Sequence, residues 1–306
     1  MLFSGPERKV YFLTQNATAR VQTLGGNAIR RINFWKLTGR IVGSILLILL
    51  ALVFVFPFFW MLTTSFKTLP ELMQLPPTLL PQHFTLDNFR QAWNSSNFPQ
   101  YIFNSFVISV SILVLQFVVI FPAAYTFARK KFFGSGVLFQ LVLLGLMIPE
   151  QVTFLPVYLM FSKFGLIDTY AALIVPFVFS PFGIFFLTQS IRQIPDEIFE
   201  SACLDKASES RVLRKIVFPM VRPTAITFAL FSFITHWNEY FWVLSMTTSD
   251  KIRTLSLGVA FLLNNEGLKN WNVLMAGAVL QVLPILVLYL FASSKIKSAF
   301  SYSGIK

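Results

Sequence analysis

Six stretches of the chain are long enough and apolar enough to cross a bilayer, and nothing else in the sequence restricts the fold so tightly. A helix needs about 20 mostly apolar residues to span ~30 Å of hydrocarbon. Windows 41–64, 103–128, 136–160, 169–190, 224–244 and 273–293 meet that length. Four of them hold no Asp, Glu, Lys or Arg, and the other two hold one carboxylate each, Glu150 and Glu239. Only 12% of the 306 residues are charged and 55% are hydrophobic, against roughly 25% charged in a soluble domain, so a water-soluble globule is excluded. The expected fold is an all-α integral membrane protein: a basic extension over 1–40, a six-helix domain over 41–293 and a tail over 294–306. The third window contains Pro149, Glu150 and Pro156, which predicts a break near its outer end.

The formal charge of +12 would suit a nucleic-acid partner in a soluble protein, but its distribution removes that reading. Seven Lys and Arg precede the first window, three follow the second, six follow the fourth and three lie in the tail, nineteen of the 25 in all. Six acidic residues share those segments, which leaves +13 on one side of the membrane and −1 elsewhere. Such asymmetry orients a membrane protein with its basic loops inside, so both termini are expected in the cytoplasm and no nucleic acid is expected as a partner. No apolar region precedes the first window within the first 35 residues, so no cleavable signal peptide is expected. One cysteine and two distant histidines, His83 and His236, form neither a disulfide framework nor a metal motif.

Between the fourth and fifth windows, residues 191–223 are longer than a connection needs. Pro195 followed by Asp196 and Glu197 predicts a helix start, with fixed φ and acidic groups at the positive end of the dipole. The helix should run to about Asp205, with Ile198, Phe199, Ala202, Cys203 and Ala207 on one apolar face. A second, basic helix opened by Ser208 should end before Phe218 and Pro219. On the opposite side, residues 65–102 carry five prolines and one helical candidate, 86–93, opened by Thr85.

Glu200-Ser201-Ala202, three residues, Lys206, nine residues, then Ile216-Val217-Phe218-Pro219 resembles the EAA loop of binding-protein-dependent ABC importer permeases, E-A-A, three residues, G, nine residues, I-x-L-P. Ser201 and Phe218 are conservative departures, whereas Lys206 stands where the family has a glycine suited to a left-handed turn. Further stretches resemble the carbohydrate-uptake branch that includes the smaller permease of maltose transporters: A-Y-T-F-A-R-K-K-F-F-G over 124–134, the segment 148–173 beginning I-P-E-Q-V-T-F, W-N-E-Y-F-W-V-L over 237–244, and F-S-Y-S-G-I-K over 300–306.

The resemblance implies a type I importer permease fold, with the loop helix coupling it to a separate, dimeric cytoplasmic ATPase that binds ATP and Mg. It also implies a second homologous permease and an external solute-binding protein. In that reading Ile198, Phe199, Ala202 and Leu204 anchor the ATPase and Glu200 meets a basic group on it. Ser201, Asp205, Lys206, Ile216 and Pro219 complete the coupling loop, and Ser303, Gly304, Ile305 and Lys306 reach the ATPase. The implied cargo is a sugar or oligosaccharide, with glycerol phosphate or a polyol as the alternative. No cofactor is expected on this chain: no Gly is followed by Lys, so a phosphate-binding P-loop cannot be written, and neither G-x-S-x-G nor H-E-x-x-H occurs.

Ionisable groups within spans are costly and point by default to a pathway. His236, Asn238 and Glu239 are therefore candidates either for the solute pathway or for anchors at the outer interface, and Gln116 and Asn104 either for the pathway or for interhelical hydrogen bonds. A self-contained secondary transporter would need internal repeats and buried ion sites, for which Glu150 is the single starting point.

Overall fold

The computed structural model describes residues 34–265 and 270–301. The tail candidates Ser303, Gly304, Ile305 and Lys306 and most of the N-terminal extension lie outside the described residues. The chain divides into a unit ending at Phe59 and a unit beginning at Trp60. The first carries most of α1 (Phe34–Thr64), which has no charged side chain from Ile41 to Thr64. Its 31 residues correspond to about 46 Å at 1.5 Å per residue, longer than a bilayer core.

The second unit is built on four long helices. They are α4 (Phe98–Arg129), the segment Tyr170–Arg192, the segment Glu209–Trp237 and α14 (Trp271–Ser301). α4 packs along the second and third of these, and α14 packs against the third. Small residues bring the helices close: a Cβ on Gly183 would sit 2.7 Å from the ring of Phe228, so only glycine permits this approach. In the segment 65–102, α2 (Leu69–Leu72) and α3 (Asp87–Asn94) are joined to the core by buried polar groups. Asn88 donates to the carbonyls of Ser65 and Lys67, each at 2.8 Å, and accepts from Asn272 at 2.7 Å.

Three predicted spans differ from the structure. The third is two helices, α5 (Ser135–Gly145) and α6 (Glu150–Lys163), bent by 97°. Eleven residues reach only about 16 Å, so the break falls in mid-span rather than near the outer end. Pro149 enforces it by disfavouring helical geometry at Ile148 and lacking an N–H. The fourth comprises α7 (Tyr170–Ile174), a 3₁₀ turn (Val175–Phe177) and α8 (Pro181–Arg192). The fifth is helical from Glu209, not 224, and stops at Trp237; α12 (Phe241–Met246) follows after a break, and α13 (Leu255–Asn265) lies between it and α14 in the chain.

Prolines explain the fourth break, and distant side chains repair it. Pro176 and Pro181 have no N–H to give the carbonyls four residues earlier, Ala172 and Phe177. The indole Nε1 of Trp242 donates to the Ala172 carbonyl at 2.9 Å, and the Gln116 amide donates to the Phe177 carbonyl at 2.8 Å. Each backbone acceptor at membrane depth thus regains a donor from another segment.

Candidate functional site: the 191–223 loop and a cavity at the helix breaks

In the 191–223 loop, α9 spans Asp196–Leu204 with Pro195 at its N-cap and Asp196 and Glu197 in its first turn. It ends in a Schellman motif. The Ala207 N–H donates to the Ala202 carbonyl and the Lys206 N–H to the Cys203 carbonyl, both at 3.0 Å. Lys206 occupies the left-handed position, φ 49°, where glycine avoids a Cβ clash.

The faces of α9 are divided differently from the expectation. Ala202 is buried, and Ile198, Phe199 and Ala207 pack with it against the chain's own core, formed by Ile120, Ala124, Leu187, Ile191, Val217 and Val221 among others. Ala202 is thus committed to packing within this chain, and Ile198 and Phe199, each partly buried, are partly committed to it. Exposed on the other side are Glu200, Ser201, Cys203, Leu204, Asp205 and Lys206, with Leu204 at 84% exposure. Ile216 joins the core. Pro219 does not end the second helix: α10 (Glu209–Val212) runs through a π turn (Leu213–Val217) into α11 (Phe218–Trp237). The widened turn accommodates a residue that cannot donate to the preceding turn.

Three residues at the end of α4 grip this loop. Arg129 donates to Asp196 and to the carbonyls of Ile191 and Ile194, and its guanidinium lies 4.2 Å from the Phe199 ring centroid. Its side chain is 12% exposed. Lys130 pairs with Glu209, and Tyr125 donates to the same carboxylate. The A-Y-T-F-A-R-K stretch that carried part of the resemblance is therefore a clamp on the loop.

The second feature is a cavity of about 590 Å³ at the junction of the three breaks, lined by Ile148 and Glu150 at the first, Pro176, Phe177, Ser180 and Pro181 at the second, and His236 and Trp242 at the third. Gln116, Phe228 and Ser232 form its floor. Irregular backbone at membrane depth is tolerated where it borders such a space. Of the predicted pathway residues, Gln116 and His236 line it. Gln116 is also engaged in the scaffold, accepting from Ser232 at 2.6 Å. Asn104 lies elsewhere, and its polar capacity is filled: it accepts from Gln100 and Tyr170 and donates to the carbonyls of Lys251 and Arg253. These bonds tie α4 to the 247–254 segment. Glu239 accepts from the Trp242 N–H at 2.9 Å and so caps α12, and Asn238 accepts from Gln281 at 3.1 Å. The polar lining residues Thr153, Ser180 and Thr235 were missed, because each is an ordinary hydroxyl inside an apolar window.

Residues 120–298 match the family described as the binding-protein-dependent transport system inner membrane component. The diacetylchitobiose uptake system permease protein NgcG of Streptomyces coelicolor is 30% identical over 263 residues, 85% of this chain and 87% of that protein. The arabinooligosaccharides transport system permease protein AraQ of Halalkalibacterium halodurans is 32% identical over 260 residues, covering 84% and 93%. A bacterial ABC transporter involved in import of the acidic polysaccharide alginate shares the fold with a TM-score of 0.73 at 21% identity, covering 85% of this chain and 96% of the matched one. By fold, family model and sequence likeness, the chain belongs to the integral-membrane components of binding-protein-dependent transport systems.

Proposed function

We propose that this chain is one of two permease subunits of an ATP-driven importer in the cytoplasmic membrane of a prokaryote, with both termini inside, and that it passes a sugar or oligosaccharide delivered by an external binding protein. A dimeric ATPase holds ATP and Mg and acts on the 191–223 loop; this chain has no nucleotide site of its own. The observation that carries the reading is the division of α9. Its inner face is part of the same packed cluster as α4, α8 and α11, while Glu200, Leu204 and Lys206 remain exposed. A force applied to the exposed side reaches the membrane helices through packed side chains, because a packed core shifts as a body rather than yielding. Charge asymmetry supports the orientation, and the names of the relatives support the cargo class.

Glu200→Lys tests it. The substitution reverses an exposed charge without disturbing the packed face, so the chain should insert and assemble with its second permease. ATPase stimulation and uptake should then be lost. Transport and ATPase co-purification at wild-type levels would remove Glu200 from the interface.

A further inference from the structure

Resting on the permease reading, we propose that the cavity at the helix breaks is a solute subsite belonging to this subunit, and that it takes an uncharged carbohydrate ring while rejecting phosphate- and carboxylate-bearing solutes. Its volume, about 590 Å³, lies within the ~300–1,000 Å³ of small-molecule sites. The wall combines aromatic rings with a few polar groups, and most of those groups are already committed. Gln116 and Ser232 bond to each other, Ser180 accepts from the Gly183 N–H, and Thr153 donates to the Glu150 carbonyl. His236 is different. It is 8% exposed and lines the cavity, and its Nδ1 is buried without a hydrogen-bond partner. A buried polar atom without a partner has an unmet requirement, and Nδ1, enclosed in this rotamer, reaches the cavity by a turn of the imidazole about its Cβ–Cγ bond. A sugar hydroxyl satisfies it in either histidine tautomer, because hydroxyls both donate and accept.

The charges select against anions. Glu150 lines the cavity, and among the described residues no Lys or Arg does. Phosphate or uronate groups at such depth need cationic, bidentate partners, whereas here they would meet a carboxylate and aromatic faces. A neutral ring offers Glu150 hydroxyl donors and can lay its C–H face on Phe177, whose ring centroid is 4.9 Å from that of His236.

The complete transporter in lipid nanodiscs, without its binding protein, allows this to be measured by saturation-transfer NMR at millimolar solute. The probes are arabinotriose and cellobiose, against glycerol 3-phosphate and a uronate trisaccharide. At least one neutral sugar should give a signal that falls about fivefold or more in His236→Phe and is largely retained in His236→Gln. The anions should give none until Glu150→Lys is introduced. Anion signals equal to the neutral ones in wild type, or a neutral signal unchanged in His236→Phe, would overturn the subsite. ATPase stimulation by the liganded binding protein, read in the same nanodiscs, separates the two readings. If stimulation persists while the NMR result is negative, the subsite alone fails; if both are absent, the permease assignment fails with it.

Discussion

The Tyr125 hydroxyl donates a 2.8 Å hydrogen bond to Glu209 Oε2 across 84 residues of sequence, tying the C-terminal end of α4 to the start of the helix that leaves the 191–223 loop. Lys130 holds the other oxygen of the same carboxylate. Arg129, between them in sequence, holds the entry to α9 through Asp196 and two backbone carbonyls. One turn of α4 thus fixes both arms of the loop, so α9 is presented on a frame and not on a flexible tether.

Arg129→Lys should fail to restore this frame. Lysine keeps the charge but lacks the planar fork that serves Asp196 and the Ile191 and Ile194 carbonyls together. With a largely buried side chain, leaving these acceptors short of donors should cost about 1–3 kcal/mol. The corresponding fall in Tm is roughly 2–8 °C at a few degrees per kcal/mol. Transport should fall more than the basal hydrolysis of the assembled complex, since the loop, not the nucleotide site, is loosened. Parallel uptake and ATPase assays would decide it; equal activity in Arg129→Lys would mean charge alone suffices.

Much of the architecture was legible because a bilayer imposes a length. Charge-free windows announce themselves, and the start of α9 was readable from Pro195, Asp196 and Glu197. What sequence could not reveal depended on partners remote along the chain. The prolines at 176 and 181 are compatible with a continuous span or with a broken one, and the donors that make the break tolerable, Gln116 and Trp242, lie 61 and 70 residues from the carbonyls they serve, on other helices. The apolar stripe of Ile198, Phe199 and Ala202 likewise said that a face is covered without saying by what. It is covered by the chain itself.

Lys206→Gly should stabilise the loop. At φ 49° a side chain costs about 1 kcal/mol relative to glycine, and the Schellman hydrogen bonds at 202–207 are made by backbone atoms that the change leaves in place. The expected gain in Tm is about 2–4 °C for a chain of this size, with uptake unchanged. Higher Tm accompanied by lost uptake would give the Lys206 ammonium a role at the partner surface.

Acid should loosen the 65–102 segment through Glu71. Burial alone would raise its pKa, but hydrogen bonds from the Gln82 N–H and the Thr78 hydroxyl, with the Lys67 charge nearby, outweigh this and hold it below the ordinary 4.5. A carboxylate with a depressed folded pKa contributes stability above its unfolded value and loses it as pH falls through the folded one. Protection of the 67–82 amides from hydrogen exchange, expressed relative to the intrinsic rate at each pH, should therefore be high at pH 6 and fall below about pH 4.5. Glu71→Gln should exchange faster at pH 6 and show a flatter pH response. Parallel pH profiles for the two proteins would remove Glu71 as the cause.

The repair of the fourth span can be tested by a double-mutant cycle. Gln116→Leu removes the donor that serves the Phe177 carbonyl and strands a buried acceptor, at a cost of about 1–3 kcal/mol. Pro181→Ala restores a backbone N–H four residues after Phe177, the position from which a continuous helix would supply the missing bond. In the Pro181→Ala background the same Gln116→Leu change should therefore cost less, by about 0.5–3 kcal/mol of coupling between the sites. Thermal unfolding of the four proteins in one detergent gives the comparison. Additive losses would show that the Phe177 carbonyl draws its partner from elsewhere than Gln116.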